Sequence, residues 1–275
     1  MTRTTLSSLF VTSEFGLGAF NVVLLEHAEG IVAGAEAAGL PVILQISENC
    51  IRYHGSLAPL ASASRAIADA SSVPVLVHLD HIEDPDLIAE GVRLGVDSVM
   101  FDASRLPYQQ NLEQTRSIVE LCHRHGVAVE AELGEVGGKD GVHAAGVRTD
   151  PAEAARFVES TGVDALAVAV GTSHAMQSRV ASVDRDLIAR IHDAVPVPLV
   201  LHGSSGLPDE ELRAAVLAGI TKVNISTHLN GLFTGAIREV LASDPTVVDP
   251  RKYVTPGRNA IRDESARLLG LLGRG

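Results

Sequence analysis

Short apolar runs alternate along this chain with longer stretches whose apolar residues recur every three or four positions. The first pattern marks buried strands and the second marks helices packed on one side. Gly18-Ala-Phe-Asn-Val-Val-Leu-Leu25 predicts a first strand, with a helix over 26–38. Pro41-Val-Ile-Leu-Gln-Ile-Ser47 predicts the second strand, an Ala/Ser-rich stretch 59–71 the next helix, and Val73-Pro-Val-Leu-Val-His-Leu-Asp-His81 the third strand. The rhythm continues with helix 84–94, strand 97–102, helix 108–125 and strand 127–133, then a Gly-rich loop from Gly134 to about Gly146. Helix 151–161, strand 165–170, helix 184–194, strand 197–201, helix 208–218, strand 222–226 and a helix over about 228–242 complete it. Glycines stand where the helices stop, at 39, 95, 126, 162 and 219, as expected of residues that end a helix in the left-handed conformation. Strands with no polar face belong in parallel sheets covered on both sides. Eight strand-then-helix units therefore predict a closed (β/α)8 TIM barrel. A doubly wound sheet is the second choice, and its G-x-G-x-x-G fingerprint is missing: Gly16-Leu-Gly18 precedes the first strand. The tail, 244–275, is broken by Pro245, Pro250 and Pro256 and then becomes amphipathic. It reads as a C-terminal helical extension of a single domain spanning 1–275, packed on the barrel or at a subunit interface.

The chain has 275 residues, 46% hydrophobic and 20% charged, which suits one barrel. Two distant cysteines, Cys50 and Cys122, suggest neither a disulfide framework nor a zinc ribbon. With a start unlike a signal peptide and no long unbroken apolar segment, the expected place is the cytoplasm, away from membranes. A formal charge of −12 argues against a nucleic-acid surface. A small anionic ligand stays compatible, because backbone N–H groups at helix starts can hold it.

In a barrel the chemistry collects at the carboxyl ends of the strands. There the third strand offers Asp80-His81, the fifth Glu130-Ala-Glu132, the sixth Gly171-Thr-Ser-His174, the seventh His202-Gly-Ser-Ser-Gly206 and the eighth Asn224-Ile-Ser-Thr227. A single histidine at such a place is more often a satisfied structural one. Three on separate strand ends are not required by packing, and three imidazoles with an open fourth position make a catalytic zinc arrangement. His78 and Asp80 share a strand face, while His81 can bend away as the chain leaves the sheet. The turn 202–206 and the exit of strand eight, each running into a helix start, expose donors at the corner where barrels often bind phosphate.

These motifs, in order over nearly the whole chain, resemble the class II, zinc-dependent fructose- and tagatose-bisphosphate aldolases. The resemblance is carried by Gly18-Ala-Phe-Asn-Val, Leu79-Asp-His, Val129-Glu-Ala-Glu-Leu-Gly with Gly137-Gly138, Gly171-Thr-Ser-His, Leu201-His-Gly-Ser-Ser-Gly, Lys222-Val-Asn-Ile and Asp249-Pro-Arg. It implies a lyase that splits a phosphorylated ketose to dihydroxyacetone phosphate and an aldehyde. His81, His174 and His202 would bind Zn2+, with Glu132 at the metal's edge and room for a monovalent cation. Asp80 would be the acid/base on the C4 hydroxyl. Asn21, Ser47, Ala175, Gly203, Ser205, Asn224, Ser226 and Thr227 would line the sugar-phosphate site. Arg251 would reach a neighbouring subunit's phosphate, which implies a homodimer or homotetramer.

The departures bear on substrate choice. Asp140 stands near the place of the family's loop glutamate, Ala175 and Gln177 replace a glycine and a tyrosine, and Ser226 and His228 are unusual. Of three lysines, Lys139 lies in the loop, Lys222 at the opening of strand eight and Lys252 in the tail, so a Schiff-base route is disfavoured. The rival readings are a family member acting on another phosphorylated keto sugar or sugar acid, a metal-dependent barrel hydrolase, and a non-catalytic binding subunit.

Overall fold

The computed structural model describes residues 16–133, 148–172, 179 and 181–273. Its strands are β1 (Leu17–Asn21), β2 (Val42–Ser47), β3 (Val75–Ile82), β4 (Ser98–Phe101), β5 (Ala128–Leu133), β6 (Ala165–Val168), β7 (Leu199–Leu201) and β8 (Ile220–Ile225). All pair in parallel with their sequence neighbours, and β8 closes on β1 to complete the ring. Around it run α1 (Leu25–Ala38), α2 (Glu48–His54), α3 (Ala58–Ala70), α4 (Pro85–Leu94), α5 (Tyr108–His123), α6 (Pro151–Thr161), α7 (Arg185–Ala194), α8 (Asp209–Leu217) and α9 (Thr227–Ser243). The tail forms α10 (Pro250–Leu272).

Local chemistry sets these boundaries. Asp84, Asp150 and Asp184 each accept a backbone N–H at a helix start, satisfying donors the helix leaves open. Gly39, Gly95 and Gly162 end their helices at φ between 66° and 78°, where a Cβ would be strained. Alternation along the strands then sorts side chains between two cores. Val75, Val77 and Leu79 of β3 join the large apolar layer between ring and helices. Leu76 packs inside the ring with Leu17, Ala19 and Ile43, and Met100, Ala165, Ala167 and Val200 form another interior cluster. Further up, the interior turns polar: Gln45, His78, Ser98, Glu130 and Lys222 are all 0% exposed.

Three expectations change. A short helix, α2, follows β2, started by Ser47, whose hydroxyl accepts the N–H of Cys50. Pro256 does not break the tail but lies inside α10. There α10 packs on α1 and α9, with Gly30 and Gly34 facing the backbone of Arg258 and Arg262, and Gly257 lying against Phe233. That close packing offsets the roughly 3 kcal/mol an interior proline costs. Lys222 does not open strand eight; β8 begins at Ile220, and the lysine is buried inside the ring. No described helix is long and apolar enough to cross a membrane.

Candidate active site

The carboxyl end of β3 shapes the mouth of the barrel. Asp80 continues the inward face of Leu76 and His78, and the alternation would send His81 outward. Instead His81 adopts φ 51°, and the pairing register between β3 and β4 shifts between Leu79 and Ile82. This left-handed residue costs about 1–2 kcal/mol outside glycine, and bulges of this kind re-aim side chains next to functional sites. Here the imidazole is turned into the mouth. Its Nδ1 lies 2.6 Å from Oδ2 of Asp102, just past β4. Its Nε2 lies 2.9 Å from Nδ1 of His202, just past β7, with the two rings edge to face.

His202 is fully buried, and its Nε2 sits 3.0 Å from Oε1 of Glu130 and 3.0 Å from the side-chain amide of Asn224. The other Glu130 oxygen accepts from Lys222 Nζ at 2.8 Å. Asp80 is aimed from the opposite side of the ring: Asn21 Nδ2 donates to its Oδ2 at 2.8 Å, and Gln45 Nε2 donates to Asn21 Oδ1 at 3.2 Å.

Electrostatics follow from this crowding. Burial opposes a charge on His81, but Asp80 and Asp102 outweigh it and hold the pKa up to about 9. Burial also works against an ionised Asp80, yet the charge on His81 and the hydrogen bond from Asn21 hold its carboxyl below the usual range. Burial and the neighbouring His81 push His202 well down, which keeps it neutral. The mouth thus gathers an ionised carboxylate, one imidazole with a raised pKa and one neutral imidazole.

Such a group suits a divalent cation. One ligand atom from each of Asp80, His81 and His202 falls within 4.8 Å of the others, and the same holds for His81, Asp102 and Glu132. Oδ1 of Asp80 is buried without a hydrogen-bond partner, the kind of orphaned acceptor that a cation or a substrate hydroxyl satisfies.

The other expected residues are placed as follows. Gly203, Ser205, Ser226 and Thr227 meet between β7 and α9: Gly203 takes φ 67°, Ser205 Oγ accepts the N–H of Ser226, and Thr227 opens α9. A cavity of about 500 Å3 lies there, lined by Arg179, Ser205, Thr227, His228 and Arg238 among others. Neither His81 nor His202 lines it. Asn224 touches His202, Ser47 starts α2, and Glu132 is buried beside His202, with Oε2 3.6 Å from Nδ1. Arg251 is not brought to the mouth: it is exposed on α10 and forked onto Asp249. His174, Ala175 and Asp140 lie outside the described residues. Asp102 escaped the sequence reading, and Glu130 entered it only beside Glu132 at the end of strand five, with no role of its own. Their signal was an acidic residue in an otherwise apolar strand, on the inward face and at or near its carboxyl end.

Comparison with known proteins bears on the family and the fold. The model of the family described as fructose-bisphosphate aldolase class-II matches residues 8–274. A fructose-bisphosphate aldolase of Geobacillus stearothermophilus is 40% identical over 253 residues, covering 90% of this chain and 88% of that protein. The crystal structure of the YdjI aldolase from Escherichia coli K12 superposes with a TM-score of 0.83 at 32% identity, covering 94% of this chain and 92% of the other. The fructose-bisphosphate aldolase structure from Campylobacter jejuni, at 23% identity and a TM-score of 0.76 over 94% of this chain and 90% of that one, adds likeness of fold alone. Closed parallel barrel, converging strand ends and a match over almost every residue lead to one conclusion: the chain belongs to the class II fructose-bisphosphate aldolase family, a family of aldehyde-lyases.

Proposed function

We propose that the chain is a zinc-dependent aldolase that reversibly cleaves a phosphorylated ketose to dihydroxyacetone phosphate and an aldehyde. The observation that carries this reading is the meeting of His81 Nε2 and His202 Nδ1 at 2.9 Å beside the buried Asp80. Two nitrogens bound to a tetrahedral zinc at about 2.0–2.1 Å sit roughly 3.3 Å apart, so little movement separates this geometry from a liganded one. His81, His202 and His174, which follows β6 in the sequence, would hold the ion, with Glu132 within reach. When bound, the ion polarises the ketone and stabilises the negative charge that develops on its oxygen.

The protein's own groups do the rest. Asp80, kept ionised and aimed by Asn21, accepts the proton of the C4 hydroxyl as the C3–C4 bond breaks. The electron pair of that bond passes to the dihydroxyacetone phosphate half, and the C4 oxygen becomes the aldehyde carbonyl. The donors between β7 and α9, with Arg179 and Arg238 lining the neighbouring cavity, suit a phosphate. Asp80 then gives its proton to solvent, and Asp140, two residues past Gly138 in the sequence, would in its protonated form supply the proton to the three-carbon half.

A metal assay joined to a chelator-sensitive cleavage assay over a panel of ketose phosphates tests the proposal. His202→Ala is expected to lose zinc and activity together. Asp80→Ala is expected to keep zinc and to lose about 10²- to 10⁴-fold in turnover. Full activity in the Asp80 variant, or a wild-type protein active after removal of all metal, would sink the reading.

A further inference from the structure

The mechanism above makes no use of the ion pair inside the ring. Glu130 and Lys222 are both 0% exposed and join at 2.8 Å, between β5 and β8. Stability does not explain them, because a buried ion pair is often neutral or unfavourable relative to well-packed apolar residues of the same volume. Their geometry offers a different reason. Glu130 divides its two oxygens: Oε2 accepts from the Lys222 ammonium, and Oε1 lies 3.0 Å from Nε2 of His202. The remaining polar neighbour does not compete for it. His78 Nδ1 is committed to Ser98 Oγ at 2.7 Å, and its Nε2 stays 4.0 Å from Glu130.

We propose that Glu130, backed by Lys222, is a positioning residue for His202, holding the imidazole by Nε2 so that Nδ1 is the nitrogen presented at the mouth. A carboxylate can only accept, so it fixes the proton on Nε2 and leaves the Nδ1 lone pair facing His81; the same proton suits the Asn224 amide turned so that its oxygen, otherwise buried without a partner, faces Nε2. Its negative charge also raises the donor strength of the ring. Lys222 keeps the carboxylate from being an uncompensated buried charge and turns its second oxygen away from His202. Neither residue reaches the mouth, so neither is a metal ligand nor a catalytic residue. Asp102 stands in the same relation to His81, bonding Nδ1 so that Nε2 is presented. The two imidazoles thus use opposite nitrogens, each set by the carboxylate behind it.

This inference rests on the metal-dependent reading, and its test separates the two. Wild type, Glu130→Gln and the double variant Glu130→Leu/Lys222→Met are stripped of metal. Urea unfolding of the stripped proteins is followed by zinc affinity from chelator competition and by the visible absorption bands of the Co2+-loaded forms. Both variants are expected to unfold cooperatively, to bind zinc roughly 10- to 100-fold more weakly than wild type and to show altered Co2+ bands. If Glu130→Gln does not fold, the double variant carries the test, since it removes both charges together. Wild-type zinc affinity and unchanged Co2+ bands in a folded variant overturn the positioning role, as does failure of both variants to fold, which would make the pair structural. A wild type that takes up neither ion overturns the metal-dependent reading itself.

Discussion

Asp80 owes its direction to one neighbour. Asn21 donates to Oδ2 while its own oxygen is held by Gln45, so three inward residues of β1, β2 and β3 form a relay that fixes the carboxylate. The resemblance implies that Asn21 lines the sugar-phosphate site; in the structure its amide donates to Asp80, a contact through which it would orient that carboxylate. A hydrogen bond to a charged group is worth about 1.5–3 kcal/mol. Asn21→Ala is therefore expected to lower kcat roughly 10- to 100-fold while changing KM little, measured by steady-state cleavage kinetics. A raised KM with kcat intact would return Asn21 to ligand binding. At this scale, Asp80, His81 and His202 were legible because they end apolar strands, where an ionisable residue has no packing role. The φ of 51° at His81 was not: a two-residue period puts His81 on the outer face, and only the bulge against β4 brings it back. Lys222 was misplaced for a different reason: the strand was begun at 222, two residues after its true start at Ile220, so the lysine was read as a strand opening rather than an interior cation.

The elements were legible where two signals coincided. Helix α6 has the bounds 151–161 expected of it, because an aspartate cap and a left-handed glycine mark both ends. Where one signal stood alone the bounds drifted: β6 and β7 are shorter than their apolar runs, since the last two residues of the first run and the first two of the second lie outside the ladder. The tail shows how packing overrides a local rule, with Pro256 carried inside α10. It also ties three helices together. Glu264 of α10 bonds His228 of α9 at 2.6 Å and Arg267 at 2.7 Å, and Arg267 reaches Asp209 of α8. Burial opposes the Glu264 charge, but Arg267 and His228 outweigh it and lower its pKa from 4.5 to about 2. A carboxyl depressed in the folded state stabilises it fully above its unfolded pKa and loses that contribution as pH falls through the folded one. In urea unfolding, wild type is expected to exceed Glu264→Gln by about 1–2 kcal/mol above pH 5, after allowance for partial solvent screening. The difference should vanish by about pH 2, and a gap constant with pH would mean that the pair contributes through packing alone.

For the whole molecule, the barrel was legible from the count of strand-then-helix units, whereas the manner of assembly was not, because one chain's periodicity says nothing of its neighbours. Arg251 bears on that question. Its side chain is 88% exposed, and Asp249 holds the guanidinium in a fork, so the group is displayed to solvent in one orientation. If it completes a neighbour's phosphate site, Arg251→Ala is expected to raise KM for a bisphosphate at least tenfold while zinc content and the unfolding midpoint stay at wild-type values. Mixing that variant with a zinc-binding-deficient His202→Ala chain should restore some activity in hybrid oligomers, and no recovery at all would confine Arg251 to its own chain. The pairing of β8 with β1 bears on the same question. A ring of strands has no terminal ribbon whose backbone amides seek company, so another polypeptide cannot be recruited by extending the sheet. A second copy would have to meet this chain through surfaces outside the ring, where single substitutions can rewire partnership without touching the scaffold.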